Sequence, residues 1–404
     1  MQDKEQTAQS SIAYFSGAQL FAAASLAGRI HVLIAAIACT LLGFILVDIF
    51  ETIVIARRTH RTLQITRFFY RITWRLFCVL ARKLRSGRKR ERFLGIYGPI
   101  SLILLLGCWV IGLITAFALL HWCFGLELNG VRANFPNDFY FSAATLFTLA
   151  PTGPGNAASK ALSVLEAGLG FSLFGLVIGY LPVLYQSFSN REVRISLLDA
   201  RAGSPPSAAE LIRRQGRNPD RLERQLAQWE EWAAEVLESH IAYPMLSYFR
   251  SQHTNQSWIA ALTSIIDASA LAVLTSDGDL KRQSELTFAM GRHALVDLAT
   301  IFDTPPTTDE NRLSKEALLL LRSVISETTT ALRPELLSED KLRSLREMYE
   351  PYANALGRYF LMALPPWLPI PDSLDNWQTT SWGHMASPFT VSDPFLVDRG
   401  ESAG

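Results

Sequence analysis

A short stretch of mixed threonine, proline and glycine lies between two apolar segments, and it is the part of the chain most able to handle an ion. It comprises Thr148, Leu149, Ala150, Pro151, Thr152, Gly153, Pro154, Gly155 and Asn156. The preceding segment is short and apolar, whereas the following one, residues 161–185, is long enough to cross a membrane. Backbone that is neither helix nor sheet survives at membrane depth only where protein buries it or where it lines a water-filled cavity. Backbone carbonyls in such a turn can replace the hydration shell of an ion, so the sequence predicts a re-entrant pore loop.

Three hydrophobic stretches in the first half of the 404-residue chain are long enough to be transmembrane helices. The second half has the apolar periodicity of a soluble helical protein. The sequence therefore predicts an all-α membrane protein with three transmembrane helices, a re-entrant pore helix and loop, and a cytoplasmic α-helical domain. The predicted domains are an extracytoplasmic segment (1–29), a first transmembrane helix (30–56), a basic cytoplasmic amphipathic segment (57–93), a pore domain (94–189), a cytoplasmic helical domain (190–364) and a Pro-rich extended tail (365–404).

The basic residues are concentrated between the first two predicted spans. Residues 57–92 hold thirteen Lys or Arg and one acid, Glu91. This excess predicts a cytoplasmic location for the segment, an external N-terminus and a cytoplasmic C-terminal domain in a multi-pass inner (plasma) membrane protein. Membrane lipid, rather than nucleic acid, is the predicted partner. Arg67, Arg71 and Arg75 share one helix face, which indicates a helix lying in the headgroup layer or, alternatively, a voltage sensor.

Several residues within the spans are candidates for lining or gating a pathway. Glu166 could present a ring of acids to cations, or it could pair with Lys160 or with a group on the pore helix. Gly175 and Gly179 have the spacing of a helix-packing motif and could also form a gating hinge. Asp48 could contact the ion pathway, or it could bond to the arginines that follow the first span.

The second half contains local signals for helices and none for catalysis. Ser207 and Glu210 form a capping box, and Asn218-Pro219 begins a further helix. Further helical runs are predicted at about 258–274, 281–302, 308–332 and 338–363. The sequence has no phosphate loop, nucleophile elbow or metal-ligand spacing, so we expect no enzymatic activity, catalytic residue, metal or cofactor. The four cysteines lie in or beside hydrophobic segments and are expected to be buried, inert thiols.

The residues before the turn resemble the pore helix of the two-transmembrane potassium-channel family. The chain reads Tyr-Phe-Ser-Ala-Ala-Thr-Leu-Phe-Thr at 140–148, where the family has Y-F-S-x-x-T-L-T-T followed by V-G-Y-G-D. The resemblance covers roughly residues 94–189. It implies a homo-oligomeric ion channel, a homotetramer in that family, that conducts monovalent cations, K⁺ and also Na⁺.

The turn itself departs from the family. Without gaps, Ala150 and Thr152 replace the two filter glycines and Pro151 replaces the aromatic residue. Alternatively, Gly153 and Gly155 are the filter glycines after a three-residue insertion. Proline fixes its own φ and restricts the residue before it, so the ungapped alignment predicts a stiff, wider opening with weak potassium selectivity. The alternative function is a non-conducting, channel-like sensor or scaffold that binds a partner through its helical domain.

Overall fold

The computed structural model describes most of the chain. The described residues are 2–55, 64–84, 87–128, 130–149, 153–253, 255–308, 311–328, 332–371 and 375–376, with side chains from residue 28 onward except those of Arg88 and Thr328. Twelve α-helices are present in these ranges: α1 (Gln2–Ile53), α2 (Ile65–Lys83), α3 (Arg88–Phe124), α4 (Phe135–Leu146), α5 (Ala157–Ala202), α6 (Ala208–Gln215), α7 (Pro219–Ala242), α8 (Trp258–Thr275), α9 (Gly278–Ile301), α10 (Lys315–Thr328), α11 (Glu339–Glu347) and α12 (Glu350–Phe360). The sheet within them is one antiparallel hairpin, β1 (Glu127–Leu128) and β2 (Val131–Arg132).

Four of these helices are long and apolar enough to cross a membrane. Their apolar segments are Gly28–Ile53, Lys89–Phe124, Ala157–Ala202 and Trp258–Thr275. The chain is therefore helical, with a composition compatible with a membrane protein. Of the most apolar window in each segment, 11%, 44% and 17% is buried in the first three, against 89% in the fourth. A helix that is apolar all round and surrounded by protein is a core helix, which explains the hydropathy of α8 without a membrane.

The chain divides into two compact units. The first comprises Met1–Ile55, Thr59–Thr73 and Ser101–Pro182, and the second comprises Ala56–Arg58, Trp74–Ile100 and Val183–Gly404. The start of α3 and the end of α5 group with the second unit. α5 continues without a break through Pro182, where the sequence favours a bend.

In the first unit, α1, α3 and α5 share an apolar core. Ala38, Phe117 and Leu120 are buried together, and Leu162 and Leu169 pack against them. The short helix α4 and the β hairpin belong to the same unit.

Asp48 fastens α1 to its neighbours in this unit. Its carboxylate is 3% exposed and accepts hydrogen bonds from Trp109 Nε1 and Thr66 Oγ1, both at 2.8 Å. Trp109 belongs to α3 and Thr66 to α2. Asp48 thus bonds to side chains of α2 and α3, whereas Arg57, Arg58 and Arg61, which directly follow the first span, lie outside the described residues. A carboxylate satisfied by several donors tolerates burial, so we assign Asp48 a structural role.

The second unit is a helical bundle built around α8, against which α6, α9, α11 and α12 pack. The predicted caps are confirmed, since Ser207 accepts from the amide of Glu210 and Asn218 accepts from the amide of Arg221. The run predicted at 338–363 is broken between α11 and α12. Pro351 has no amide hydrogen, so a continuous helix would lose a backbone hydrogen bond there.

Two other expectations are corrected. The helix predicted from residue 308 begins at Lys315, because Arg312 is drawn into a buried network with Asp267 and Glu350. The four cysteines are free, but only Cys78 is buried, while Cys39 and Cys108 are exposed. Burial raises the pKa of Cys78 to about 11, so this thiol is the inert one.

Candidate functional site

The site begins with α4, a helix too short to cross a membrane. Its 12 residues extend about 18 Å, against the roughly 30 Å of a bilayer core. Asn134 caps it by accepting from the amide of Asn137 at 3.1 Å, and Pro136 occupies its first turn, where no amide hydrogen is needed. The helix thus has a sharply defined start.

The end of α4 is closed by a Schellman motif. The amide of Leu149 donates to the carbonyl of Ala144 at 2.8 Å, and the amide of Thr148 donates to the carbonyl of Thr145 at 2.9 Å. The motif requires a left-handed residue, usually glycine, and here Thr148 fills that position with φ +56°. A β-branched residue in this conformation is strained, and such strain clusters at functional sites. Thr148 is therefore the most unusual backbone position of the segment.

The α4 segment enters and leaves at the same end of the first unit. At its start, Phe135 lies against Trp122, with ring centroids 6.0 Å apart, near the end of α3. At its other end, the amide of Gly155 donates to the carbonyl of Glu127 at 2.9 Å, and Asn156 Nδ2 donates to the carbonyl of Gly125 at 2.6 Å. The chain has therefore returned by residue 156 to the point where α3 ends.

Between these two points the segment extends far along α5. The carbonyl of Leu146, the last residue of α4, lies against Gly170. Gly170 is 13 residues beyond Ala157, or about 20 Å along the helix axis. The segment thus extends along α5 as α4 to the level of Gly170, and Gly155 and Asn156 lie back at the end of α3.

Gly170 allows this approach. A Cβ built on it would lie 3.0 Å from the carbonyl carbon of Leu146 and closer still to the oxygen, so a side chain cannot be accommodated without displacing α4 or α5. At Gly175 and Gly179, by contrast, a Cβ meets nothing within 4 Å in the chain. The glycines selected from the sequence lie on an open face of α5, and the one that fixes α4 was not selected.

A buried hydrogen-bond network attaches the side of α4 to α3 and α5. Ser142 of α4 donates to the carboxylate of Glu166 and lies 3.0 Å from the carbonyl of Ile114. His121 Nε2 lies 3.3 Å from the other carboxylate oxygen of Glu166. Both Glu166 and His121 are fully buried. Glu166 is thus bonded to a side chain of α4, the segment for which the sequence predicts a pore helix. The carboxylate does not line an open pathway in this chain.

The same side of α4 carries a second buried acid, Asp138, which is 1% exposed. Among the described residues, neither of its carboxylate oxygens accepts a hydrogen bond. His121 and Arg132 are the positive or potentially positive groups that act on it. Its place in the first turn of α4 is favourable for an acid, because the N-terminal end of a helix carries partial positive charge. Asp138, Ser142 and Thr145 follow helical spacing in an otherwise apolar segment, a signal that could have identified this face from the sequence.

The predicted filter residues fall into three groups. Thr148 and Leu149 are exposed in the single chain, Leu149 at 72%. Ala150, Pro151 and Thr152 lie outside the described residues. Gly153, Pro154, Gly155 and Asn156 form the return, and Asn156 caps α5 by accepting from the amide of Ser159 at 2.7 Å.

In the second unit, the end of α5 is fixed by a buried arginine. Arg191 is 3% exposed and donates to the carbonyls of Leu246 and Phe249 at 2.9 and 2.8 Å and to Glu192 at 3.1 Å. The two carbonyls belong to a 3-10 turn (Pro244–Tyr248) and the residue after it. The last turns of α5 are therefore bonded to the helical bundle within the second unit.

His240 completes this arginine site. Its Nδ1 donates to the carbonyl of Val236 at 2.7 Å, so its Nε2, 3.2 Å from Arg191, accepts. Burial, and then the positive charge of Arg191, lower the pKa of His240 to about 3. The imidazole is thus neutral at physiological pH.

Comparisons of the chain with protein-family models, with curated proteins and with solved structures find no match.

Proposed function

We propose that the protein is a pore-loop ion channel that conducts monovalent cations with weak or non-standard potassium selectivity and is gated through its cytoplasmic helical domain. The observation that carries the proposal is the course of the α4 segment. It extends along α5 as a helix to the level of Gly170, ends at a strained Thr148 and returns to the end of α3. Buried bonds to Glu166 hold this segment in place.

In this proposal the carboxyl end of α4 faces the ion. The last carbonyls of a helix carry partial negative charge, which favours a cation. Two of these carbonyls are occupied by the Schellman motif, while the exposed Thr148 and Leu149 follow directly. Four stacked potassium sites require a run of residues with free backbone rotation, and Pro151 restricts that freedom. We therefore propose a wider opening in which cations pass partly hydrated.

A pathway of this kind needs several copies of the chain around one axis. α5 presents small residues at helical spacing on an open face, Gly168, Gly175 and Gly179, beside large exposed apolar side chains such as Phe171. Helix faces of this composition pack against other helices or lipid. A homotetramer follows from the resemblance of residues 140–148 to the potassium-channel family.

The helical domain is proposed to act on the pathway through α5. Arg191 and the 3-10 turn connect the bundle to the same continuous helix that contacts α4 through Gly170. In this proposal, a movement of the turn shifts α5 and thereby alters its contact with α4.

The proposal can be tested with an accessible cysteine at the end of α4. The exposed Cys39 and Cys108 are first replaced by serine, and Leu149→Cys is then introduced into the full chain. Purified protein in vesicles should carry K⁺ and Na⁺ flux, and a cationic methanethiosulfonate reagent should reduce that flux. Val131→Cys, equally exposed on the β hairpin, is the matched control and should be insensitive.

Two results would overturn this function. The absence of cation flux above that of protein-free vesicles would favour the non-conducting sensor or scaffold. Flux that responds equally to modification at Leu149 and Val131 would place the pathway elsewhere.

A further inference from the structure

The outward face of α2 is apolar, unlike that of α7 in the helical bundle. Successive helix residues are rotated by about 100°, so α2 has distinct sides. Tyr70, Trp74, Cys78 and Ala81 are buried on one side. The opposite side carries large exposed apolar residues, here called the apolar stripe: Phe68, Ile72, Leu76, Val79 and Leu80, with Phe68 at 66% and Leu76 at 60% exposed.

The comparison with α7 shows what this exposure means. α7 also buries one side, but its opposite side exposes charged residues, among them Arg224, Glu231 and Glu235. A helix of the same protein that faces water is thus polar outside, as expected. An apolar stripe of five large side chains requires a covering.

The charges beside the stripe indicate the covering. α2 contains five basic residues and no acid. Arg71, Arg75 and Arg82 fall on one flank of the stripe by helical spacing, and all three are exposed. Apolar side chains flanked by arginines match the boundary between acyl chains and anionic headgroups. Another protein surface would need both an apolar groove and a row of acids at the same spacing.

We propose that α2 is an anionic-phospholipid binding helix, with the apolar stripe among the acyl chains and Arg71, Arg75 and Arg82 on the phosphate groups. The inference rests on membrane insertion, as in the proposed function, but not on ion conduction. α2 joins two of the helices apolar enough to span a membrane, α1 and α3, so its position along the chain suits a helix at the bilayer surface.

The test places a fluorophore on the stripe. Leu76→Cys, in the full chain with Cys39 and Cys108 replaced by serine, is labelled with an environment-sensitive nitrobenzoxadiazole dye. The protein is reconstituted into vesicles of phosphatidylcholine containing a small equal fraction of nitroxide-labelled phosphatidylglycerol or phosphatidylcholine. Flotation after alkaline extraction checks membrane insertion separately, so failure of insertion is distinguishable from failure of this proposal.

The expected result is quenching by nitroxides near the headgroup, with local enrichment of the anionic lipid by about fivefold, the factor that one basic residue contributes at an anionic surface. Changing Arg71, Arg75 and Arg82 together to Gln should remove the enrichment of anionic lipid and leave the depth of the fluorophore in the bilayer unchanged. Changing Arg217, Arg221 and Arg224 of the helical bundle to Gln is the matched control and should have no effect. Absence of quenching would overturn the proposal and indicate that protein covers the apolar stripe. Equal quenching by the two lipids would also overturn it, because the helix would then show no preference for anionic lipid.

Discussion

Replacing Gly170 with alanine tests the contact that fixes the end of α4. The new Cβ would lie 3.0 Å from the carbonyl carbon of Leu146, where ordinary contacts are about 3.5–4.0 Å, so the two backbones must separate by at least about 0.5 Å. Overpacking of this kind costs about 1–3 kcal/mol. The same change gains about 1 kcal/mol because alanine is the better helix former.

Gly175→Ala provides the matched control, since its Cβ meets nothing within 4 Å in the chain. In a detergent that dissociates the subunits, it should receive the helix-propensity gain alone, because no other copy then packs on that face. The difference in the free energy of unfolding between the two variants isolates the steric cost. Gly170→Ala should be less stable than Gly175→Ala by about 1–3 kcal/mol. Denaturant-induced unfolding of the purified protein in detergent, followed by tryptophan fluorescence, measures it. Equal midpoints for the two variants would refute the close approach of α4 to α5.

Further predictions concern the pathway, the network and pH. Thr148→Gly should stabilise the end of α4 by about 1 kcal/mol by removing left-handed strain, visible as a higher unfolding midpoint. Glu166→Gln should destabilise the first unit by about 1.5–3 kcal/mol and reduce flux, whereas Lys160→Gln should change neither, and equal effects would restore Lys160 as the partner. Because the pKa of His240 is about 3 when folded and about 6.5 when unfolded, stability should fall as pH drops through this window, by up to about 1.4 kcal/mol per unit, and His240→Gln should flatten that slope. Replacing residues 149–153 with Val-Gly-Tyr-Gly-Asp should sharpen potassium preference in bi-ionic recordings if Pro151 causes the wide opening.

Much of the helical framework is encoded locally and could be predicted. Ser207 and Asn218 cap helices as expected, because a cap depends on residues only three positions apart. The long apolar helices follow from hydropathy. α8 has the same hydropathy but is buried in the bundle, and only the packing of its neighbours distinguishes it from a membrane span.

The contacts of the candidate site depend on residues distant in sequence. Glu166 left two alternatives open, because its partner Ser142 lies 24 residues away and His121 lies 45 residues away. Gly170 could not be separated from Gly175 by sequence, since its importance arises from the carbonyl of Leu146 on another helix. Asp48 accepts a hydrogen bond from Trp109, which lies 61 residues away and which no local pattern in the sequence indicates.

The resemblance to potassium channels predicts high potassium selectivity, whereas the departures at Ala150 and Pro151 predict weak selectivity. A measurement of ion permeation distinguishes the two. The three residues that carry this difference, Ala150, Pro151 and Thr152, lie outside the described part of the chain.

Single-channel recording of the purified chain in planar bilayers tests the central claim most directly. In asymmetric KCl the currents should reverse close to the potassium equilibrium potential. With K⁺ on one side and Na⁺ on the other, they should reverse close to zero. Bilayers that stay silent, or currents that reverse at the chloride potential, would contradict cation conduction. A hundredfold preference for K⁺ over Na⁺, about 2.7 kcal/mol, would contradict the wide opening and favour Gly153 and Gly155 as the filter glycines.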